Sequence, residues 1–240
     1  MADVPTWIIS ATGLVTPASA LIVWWIFHKT LFSAKLPASA SKRKKISISV
    51  LGALIAWLAA ANLLGSAEIF RVHSYLVPIV AFGIPYLGMK FISRSQIFSK
   101  VIDSLPNHWI IGIQIYRLLG IIFIFLYLAG SMPAEFAIPA GVGDMIIGLS
   151  APVVAYLYLK KTSSSAKIAT LWNYVGIADL IIAMIMGPLT APTLVQMLSF
   201  DAPNELIISY PLVTIPTFAV PFAFLLHLIS LRILKSKNKK

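Results

Sequence analysis

Seven apolar segments, each near the length of a membrane-spanning helix, constrain the fold of this chain more than any other feature. They lie at about 8–28, 46–64, 75–93, 109–129, 137–159, 168–187 and 206–231. A helix needs roughly 20 apolar residues to cross a hydrocarbon core of about 30 Å. Only 11% of the residues are charged, whereas soluble domains are about 25% charged. The sequence therefore predicts an all-α membrane protein in which residues 1–240 form a single transmembrane domain.

Basic residues are sorted onto alternate connections between these segments. All lysines and arginines except Arg71 and Arg117 lie in residues 29–45, 90–100, 160–167 and 232–240. The other connections carry mainly acidic residues, namely Asp3, Glu68, Glu135, Asp201 and Glu205. Because positive charge marks the cytoplasmic side, we predict an external N-terminus and a cytoplasmic C-terminus in a multi-pass protein of the cytoplasmic (inner) membrane.

The net charge of +11 is explained by the membrane rather than by nucleic acid. Basic residues that flank spans contact anionic lipid headgroups, so the expected partners are membrane lipids and not nucleic acid. There is no cysteine, which excludes disulfides and thiolate metal sites. A haem between two of His28, His108 and His227 is an alternative, but histidines at span ends are more often interfacial. We therefore predict no cofactor and no metal, and nothing in the sequence specifies an oligomeric state.

Two connections have the pattern of segments that lie on the membrane surface. Between residues 95 and 105, apolar residues recur at helical spacing, which predicts an amphipathic helix at the cytoplasmic interface. On the outer side, a short apolar patch lies between Pro192 and Pro203, and its pattern is similar to that of residues 95–105. This patch is expected to cap helix ends, and the alternative is a lid over an outward-facing cavity.

Three ionisable residues, Arg117, Asp144 and Asp179, lie well inside the spans. Each costs about 2.5–3.5 kcal/mol at mid-membrane on insertion scales, so each should face protein or water and have a partner. Helical rise places Arg117 and Asp179 roughly 12 and 16 Å from the cytoplasmic ends of their spans, which predicts an ion pair. Asp144 lies roughly 10 Å from the outer surface. We predict that Asp144 is the titrating group, reached by Arg117 through an intermediate polar group or water.

Further polar and small residues surround these charges. Gln114 lies three residues before Arg117, on the same helix face, whereas Asn173 lies on a different face from Asp179 and is a weaker candidate. His227 is a secondary candidate. A stripe of small residues in the fifth span permits close helix approach, and three prolines in the last segment free backbone carbonyls that need other partners. The alternative to a binding site is a buried salt bridge that fixes only helix register.

The sequence also contains a faint internal repeat. Five residues of the third segment recur at the same spacings in the seventh: Leu76, Val77, Ile79, Phe82 and Pro85 match Leu212, Val213, Ile215, Phe218 and Pro221. Spans one to three would then correspond to spans five to seven, joined by span four, which is a parallel repeat used by some transporters. Chance matching of apolar residues is the alternative.

This plan resembles the SWEET sugar transporters in helix number, orientation, length and three-one-three arrangement. It also resembles microbial rhodopsins in helix number, orientation and length. A rhodopsin needs a lysine in its last span for the retinal Schiff base, and the segment 206–231 contains none. The resemblance therefore implies a fold but no ligand.

The segment Gly141-Val142-Gly143-Asp144 resembles the GxGD motif of intramembrane aspartyl proteases, in which two carboxylates share a proton and activate water. In that family the second aspartate precedes GxGD in a YD motif, whereas Asp179 follows it and is preceded by Ala178. The PAL motif of that family is also absent.

The sequence thus favours an integral membrane protein that binds or transports a small polar solute or protons, rather than an enzyme. In this hypothesis Arg117 holds an anion or a carboxylate, Asp179 is its partner and Asp144 titrates, while no residue is assigned as catalytic. The intramembrane protease and a membrane receptor or assembly factor with a structural polar core are the alternatives.

Overall fold

The computed structural model of the protein describes residues 5–36 and 38–237, and in these residues it is all-helical with no strand. Seven helices are long and apolar enough to span a membrane, which confirms the predicted fold class. They are Thr6–Ser33, Ala40–Ser66, Leu76–Arg94, Asn107–Leu128, Ala134–Leu159, Ser165–Thr190 and Ile215–Lys237, named here the first to the seventh span. Shorter helices cover Ile69–Val72, Gln96–Asp103 and Leu206–Ile208.

The seventh span is the centre of the bundle. Of its most apolar window 67% is buried, against 11% for the second span, so the second span presents most of its surface to lipid. The seventh span packs on the third, fourth and sixth spans. The fifth span lies between the fourth and the sixth, and the first packs on the second. Residues on the fourth to seventh spans therefore converge in the middle of the protein.

The fourth span changes its helix type in the middle. An α-helix over Asn107–Gly112 gives way to a 3₁₀-helix over Ile113–Gly120 and returns to an α-helix over Ile121–Leu128. A 3₁₀ stretch this long inside a helix is uncommon. Two of its side chains are tied to the seventh span: Gln114 donates to the Ala223 carbonyl at 3.2 Å and the Tyr116 hydroxyl to the Ala219 carbonyl at 2.9 Å. These bonds add tertiary support for the irregular stretch.

The seventh span begins with a π-helix over Ile215–Ala219, later than the expected start near residue 206. Pro221 has no backbone N–H, so it cannot donate to the carbonyl of Thr217 four residues earlier. The Trp57 indole of the second span donates to that carbonyl at 3.0 Å. This contact agrees with the expectation that backbone carbonyls freed by the prolines of this segment find other partners within the protein.

The helix predicted between residues 95 and 105 is present, but the segment between Pro192 and Pro203 does not form a similar helix. Residues 96–103 are helical, with the Ser95 side chain accepting from the Phe98 N–H at 3.4 Å. On the other side, residues 191–205 form turns and bends. Pro192 and Pro203 bracket this segment, and its backbone bonds instead to the end of the sixth span: the Met197 and Leu198 N–H groups donate to the Leu189 carbonyl at 2.9 Å. Large apolar side chains in it remain exposed: Leu194, Val195, Met197 and Phe200.

The orientation of the bundle and the internal repeat stay predictions. A reporter enzyme fused after Lys240 is expected to be active in the cytoplasm, and one inserted near Asp201 to be active outside, because basic connections stay inside. Paired reporters that need opposite compartments, placed at both positions, measure this directly. Reversed activities at both positions would contradict the predicted topology.

Candidate functional site

Arg117 is the centre of a buried polar cluster. It lies in the 3₁₀ stretch of the fourth span and is 3% exposed. Its Nε donates to Asp144 Oδ1 at 2.6 Å, and its Nη2 donates to Asp179 Oδ2. Its Nη1 approaches the Gly176 carbonyl at 3.4 Å and His227 Nε2 at 3.1 Å. All three guanidinium nitrogens therefore have partners, drawn from the fifth, sixth and seventh spans.

The ion pair between Arg117 and Asp179 agrees with the pairing expected from their depths. The expected separation of Asp144 is wrong, since Asp144 contacts the guanidinium directly. One reason is the helix type: a 3₁₀-helix rises about 2.0 Å per residue, so the five steps from Gly112 to Arg117 cover about 10 Å rather than the 7.5 Å of an α-helix. Arg117 is thus deeper, and nearer the level of Asp144, than α-helical counting implies.

The second reason is close packing between the fourth and fifth spans. At Gly120 a side chain would overlap the Cβ of Asp144, and at Gly148 a Cβ would lie 2.8 Å from the Leu118 nitrogen. Glycines on both spans thus let their backbones approach. Gly143 works similarly toward the sixth span, because a Cβ there would overlap the Asp179 carboxylate. Gly148 belongs to the predicted stripe of small residues, whereas Gly120 and Gly143 lie outside it, and the three glycines together let both acids approach Arg117.

A chain of hydrogen bonds continues from Arg117 through the seventh span. His227 is fully buried, and its Nδ1 lies 2.9 Å from Asn173 Oδ1. Asn173 Nδ2 in turn donates to Ser230 Oγ at 2.9 Å. Arginine can only donate, so His227 Nε2 is the acceptor and its Nδ1 carries the proton toward Asn173. The contacts therefore specify a neutral imidazole in one tautomer.

Two sequence candidates have roles that differ from the expectation. Asn173 does not face Asp179 but joins the cluster through His227. Gln114 does not contact Arg117; it is 1% exposed and its amide bonds to the seventh span at Ala223. Gln114 thus positions the 3₁₀ stretch rather than the guanidinium.

Sequence reasoning missed two members of the cluster. Ser230 follows His227 by three residues, on the same helix face, and that spacing was the available signal. The Gly176 carbonyl near Arg117 Nη1 had no signal, because a backbone acceptor cannot be recognised from residue type. In addition, a Cβ at Gly176 would overlap the His227 ring, so only glycine fits beside the histidine.

Two small cavities meet at Asp144. One, of about 40 Å³, extends from Ser74 and Thr193, in the connections after the second and sixth spans, to Asp144 between mostly apolar walls. The other, of about 30 Å³, lies beside Arg117, Asp144 and Tyr116. A buried water needs roughly 10–15 Å³ of such space, so each cavity has room for water. Asp144 lines both cavities, whereas Asp179 lines neither.

The charges in the cluster do not balance. One guanidinium and two carboxylates leave one unit of negative charge when both acids are ionised and His227 is neutral. Removing that charge from a buried site requires a proton or a bound cation. In the described ranges 5–36 and 38–237, no group of three histidine or acidic side chains is placed to hold a metal ion.

The fold and the cluster together define a multi-pass membrane protein with a charged interior site. The chain belongs to the family described as "Domain of unknown function (DUF8737)", whose profile matches residues 74–235. The comparison with curated proteins and the comparison with solved structures find no match. The matched residues run from the third to the seventh span and include every member of the cluster.

Proposed function

We propose that the protein binds and moves protons, or a small polar solute coupled to them, through the cluster around Arg117. Asp144 takes up the proton, and Arg117 and Asp179 form the fixed ion pair beside it. The proposed location is the cytoplasmic (inner) membrane, with the cavity between Ser74 and Asp144 opening outward. No catalytic residue is part of this proposal.

The observation that carries the proposal is the position of Asp144 between the two cavities. Asp144 has one hydrogen bond to Arg117 Nε, and the side chain is 17% exposed. Its second oxygen can therefore exchange a proton with water in the outer cavity. When Asp144 is protonated, the guanidinium and Asp179 remain as a neutral pair, so each state of charge has a stable arrangement.

A purely structural salt bridge is the first competing interpretation. A bridge that only fixes helix register needs one acid for one base, and a second carboxylate in contact with the same arginine adds an uncompensated buried charge. Such a charge is costly in low-dielectric surroundings. The extra acid, together with the cavity that leads to it, favours a site.

The arrangement of Arg117 also disfavours the intramembrane protease. A proteolytic dyad requires two carboxylates that share a proton. Here each carboxylate bonds to a different nitrogen of the same guanidinium, so the guanidinium, and not a shared proton, links the two acids. We therefore retain transport or binding as the proposed function.

The test is proton flux in liposomes that contain the purified protein. With a potassium diffusion potential as the driving force and a pH-sensitive dye inside, wild-type protein is expected to carry protons. Asp144→Asn, which keeps the shape but cannot ionise, is expected to lower the rate at least about tenfold. A tenfold loss corresponds to about 1.4 kcal/mol of barrier.

Asp103→Asn is the matched control, because Asp103 pairs with Arg232 near the membrane surface at 2.7 Å and lies outside the cluster. It is expected to leave the rate unchanged. In parallel, infrared difference spectra between acid and neutral pH should show a carboxylic acid band that is absent in Asp144→Asn. A folded Asp144→Asn protein with wild-type flux, or wild-type protein with neither flux nor this band, would refute the proposal.

A further inference from the structure

A third, larger cavity lies outside the charged cluster. It has a volume of about 380 Å³ and is lined by the first, second, third, fourth and seventh spans and the surface helix Gln96–Asp103. This volume is in the range of roughly 300–1,000 Å³ that small-molecule pockets occupy. The second span packs on the first span and on the π-helical segment of the seventh. The cavity thus shares the fourth and seventh spans with the proposed transport site, but none of its lining residues belongs to the Arg117 cluster.

The walls of this cavity offer almost nothing to a polar ligand. They are built from aromatic and aliphatic side chains, among them Phe27, Phe91, Phe222 and Leu225. Two tryptophans also line it, but both indole N–H groups are already donated: Trp24 to the Ser47 carbonyl and Trp57 to the Thr217 carbonyl, each at 3.0 Å. The one hydroxyl in the lining is that of Ser49. The occupant that fits is therefore hydrocarbon.

Basic residues flank one end of the cavity. Lys45 precedes Ser49 by one helical turn in the second span, and Arg94 follows Phe91 by three residues in the third span. Residues at these spacings share a helix face, so both side chains lie beyond the same end of the cavity. Both are exposed. Basic side chains next to a bilayer attract anionic headgroups by about 1 kcal/mol each.

We propose that this cavity holds an acyl chain of an anionic phospholipid, with the phosphate group between Lys45 and Arg94. The apolar walls select the chain, and the two cations select the charge of the headgroup. The first and second spans, which supply one wall of the cavity, precede the residues 74–235 that match the family; the other walls lie within the match. The proposal does not depend on transport through the Arg117 cluster.

Native mass spectrometry of the protein, incubated in mild detergent with equal phosphatidylglycerol and phosphatidylcholine, tests this proposal. Wild-type protein is expected to retain one phosphatidylglycerol in preference to phosphatidylcholine. Ala53 lines the cavity, so Ala53→Trp fills it and is expected to lower retention at least about tenfold. Ala59→Trp, on an exposed part of the same span outside the lining, is the matched control and should retain lipid as wild type does.

A second variant tests the headgroup contact without altering the packed interior. Lys45→Gln with Arg94→Gln changes only exposed side chains, and it is expected to reduce the preference for phosphatidylglycerol on the order of tenfold while a lipid is still retained. Equal retention of both lipids by wild-type protein would overturn the proposal. So would unchanged retention in Ala53→Trp, or a cavity occupied by a second copy of the chain, detected as a dimer that excludes lipid.

Discussion

Arg117→Gln is expected to lower the free energy of unfolding by about 3–5 kcal/mol, because it leaves two buried carboxylates without their counter-ion. The substitution also removes the contacts of Arg117 Nη1 with His227 Nε2 and with the Gly176 carbonyl. Unfolding in detergent, followed by heat or by denaturant, measures the change. Arg232→Gln is the control: its pair with Asp103 is partly exposed, and such pairs contribute about 0–1 kcal/mol.

Neutralising the two acids in the Arg117→Gln background separates the contribution of the cluster to stability from its role in proton transport. Arg117→Gln with Asp179→Asn is expected to recover only part of the stability, since Asp144 remains buried and unpaired. Adding Asp144→Asn should recover most of the rest. This triple variant is expected to fold and to carry no protons. A double variant as stable as wild type would show that Asp144 does not interact with Arg117.

Gly176→Ala is expected to destabilise the protein by about 1–3 kcal/mol, the usual cost of forcing extra volume into a packed interior. The added Cβ would overlap the imidazole of His227, a rigid and fully buried ring. The ring must then leave Arg117 and Asn173, so proton flux should fall as well. Gly83→Ala is the control, because open space surrounds that position in the third span and alanine is the better helix former.

The same conflict can be relieved from the other side. His227→Ala removes the ring, so the further change Gly176→Ala should cost far less in that background than in wild type. A double-mutant cycle measures this difference as an interaction energy between the two positions. Additive effects would mean that the glycine does not provide the space for the histidine.

The spans and the ion pair between Arg117 and Asp179 could be predicted because both depend only on positions counted along the sequence. Apolar length defines a span, and a charged residue inside it needs a partner at its own depth. Asp144 could not be placed correctly, because its depth was compared with Arg117 under a uniform α-helical rise. Whether a stretch is α or 3₁₀ depends on tertiary bonds such as that of Tyr116 to the Ala219 carbonyl, which lie far apart in sequence.

His227 and Asn173 show a related limit. Each looked like a secondary candidate: Asn173 because it lies on a different helix face from Asp179, and His227 because histidines at span ends are more often interfacial. Their contact is made across two spans, at 2.9 Å between His227 Nδ1 and Asn173 Oδ1, and it depends on how the sixth and seventh spans are rotated. That rotation places the His227 ring against Gly176, a contact that a single sequence does not reveal. Helix faces could be predicted one at a time, but not the pairing of those faces.

The 3₁₀ stretch also makes the fourth span longer than an α-helix with the same number of residues. This span has 22 residues, whereas the fifth span, which follows it in sequence and packs on it, has 26. Fourteen residues at about 1.5 Å and eight at about 2.0 Å give a length of about 37 Å, which an α-helix would need about 25 residues to reach. The fourth span therefore crosses nearly the same thickness as the longer fifth span. Conversion of the 3₁₀ stretch to an α-helix would shorten the fourth span by about 4 Å, so one of its ends could no longer lie level with the end of the fifth.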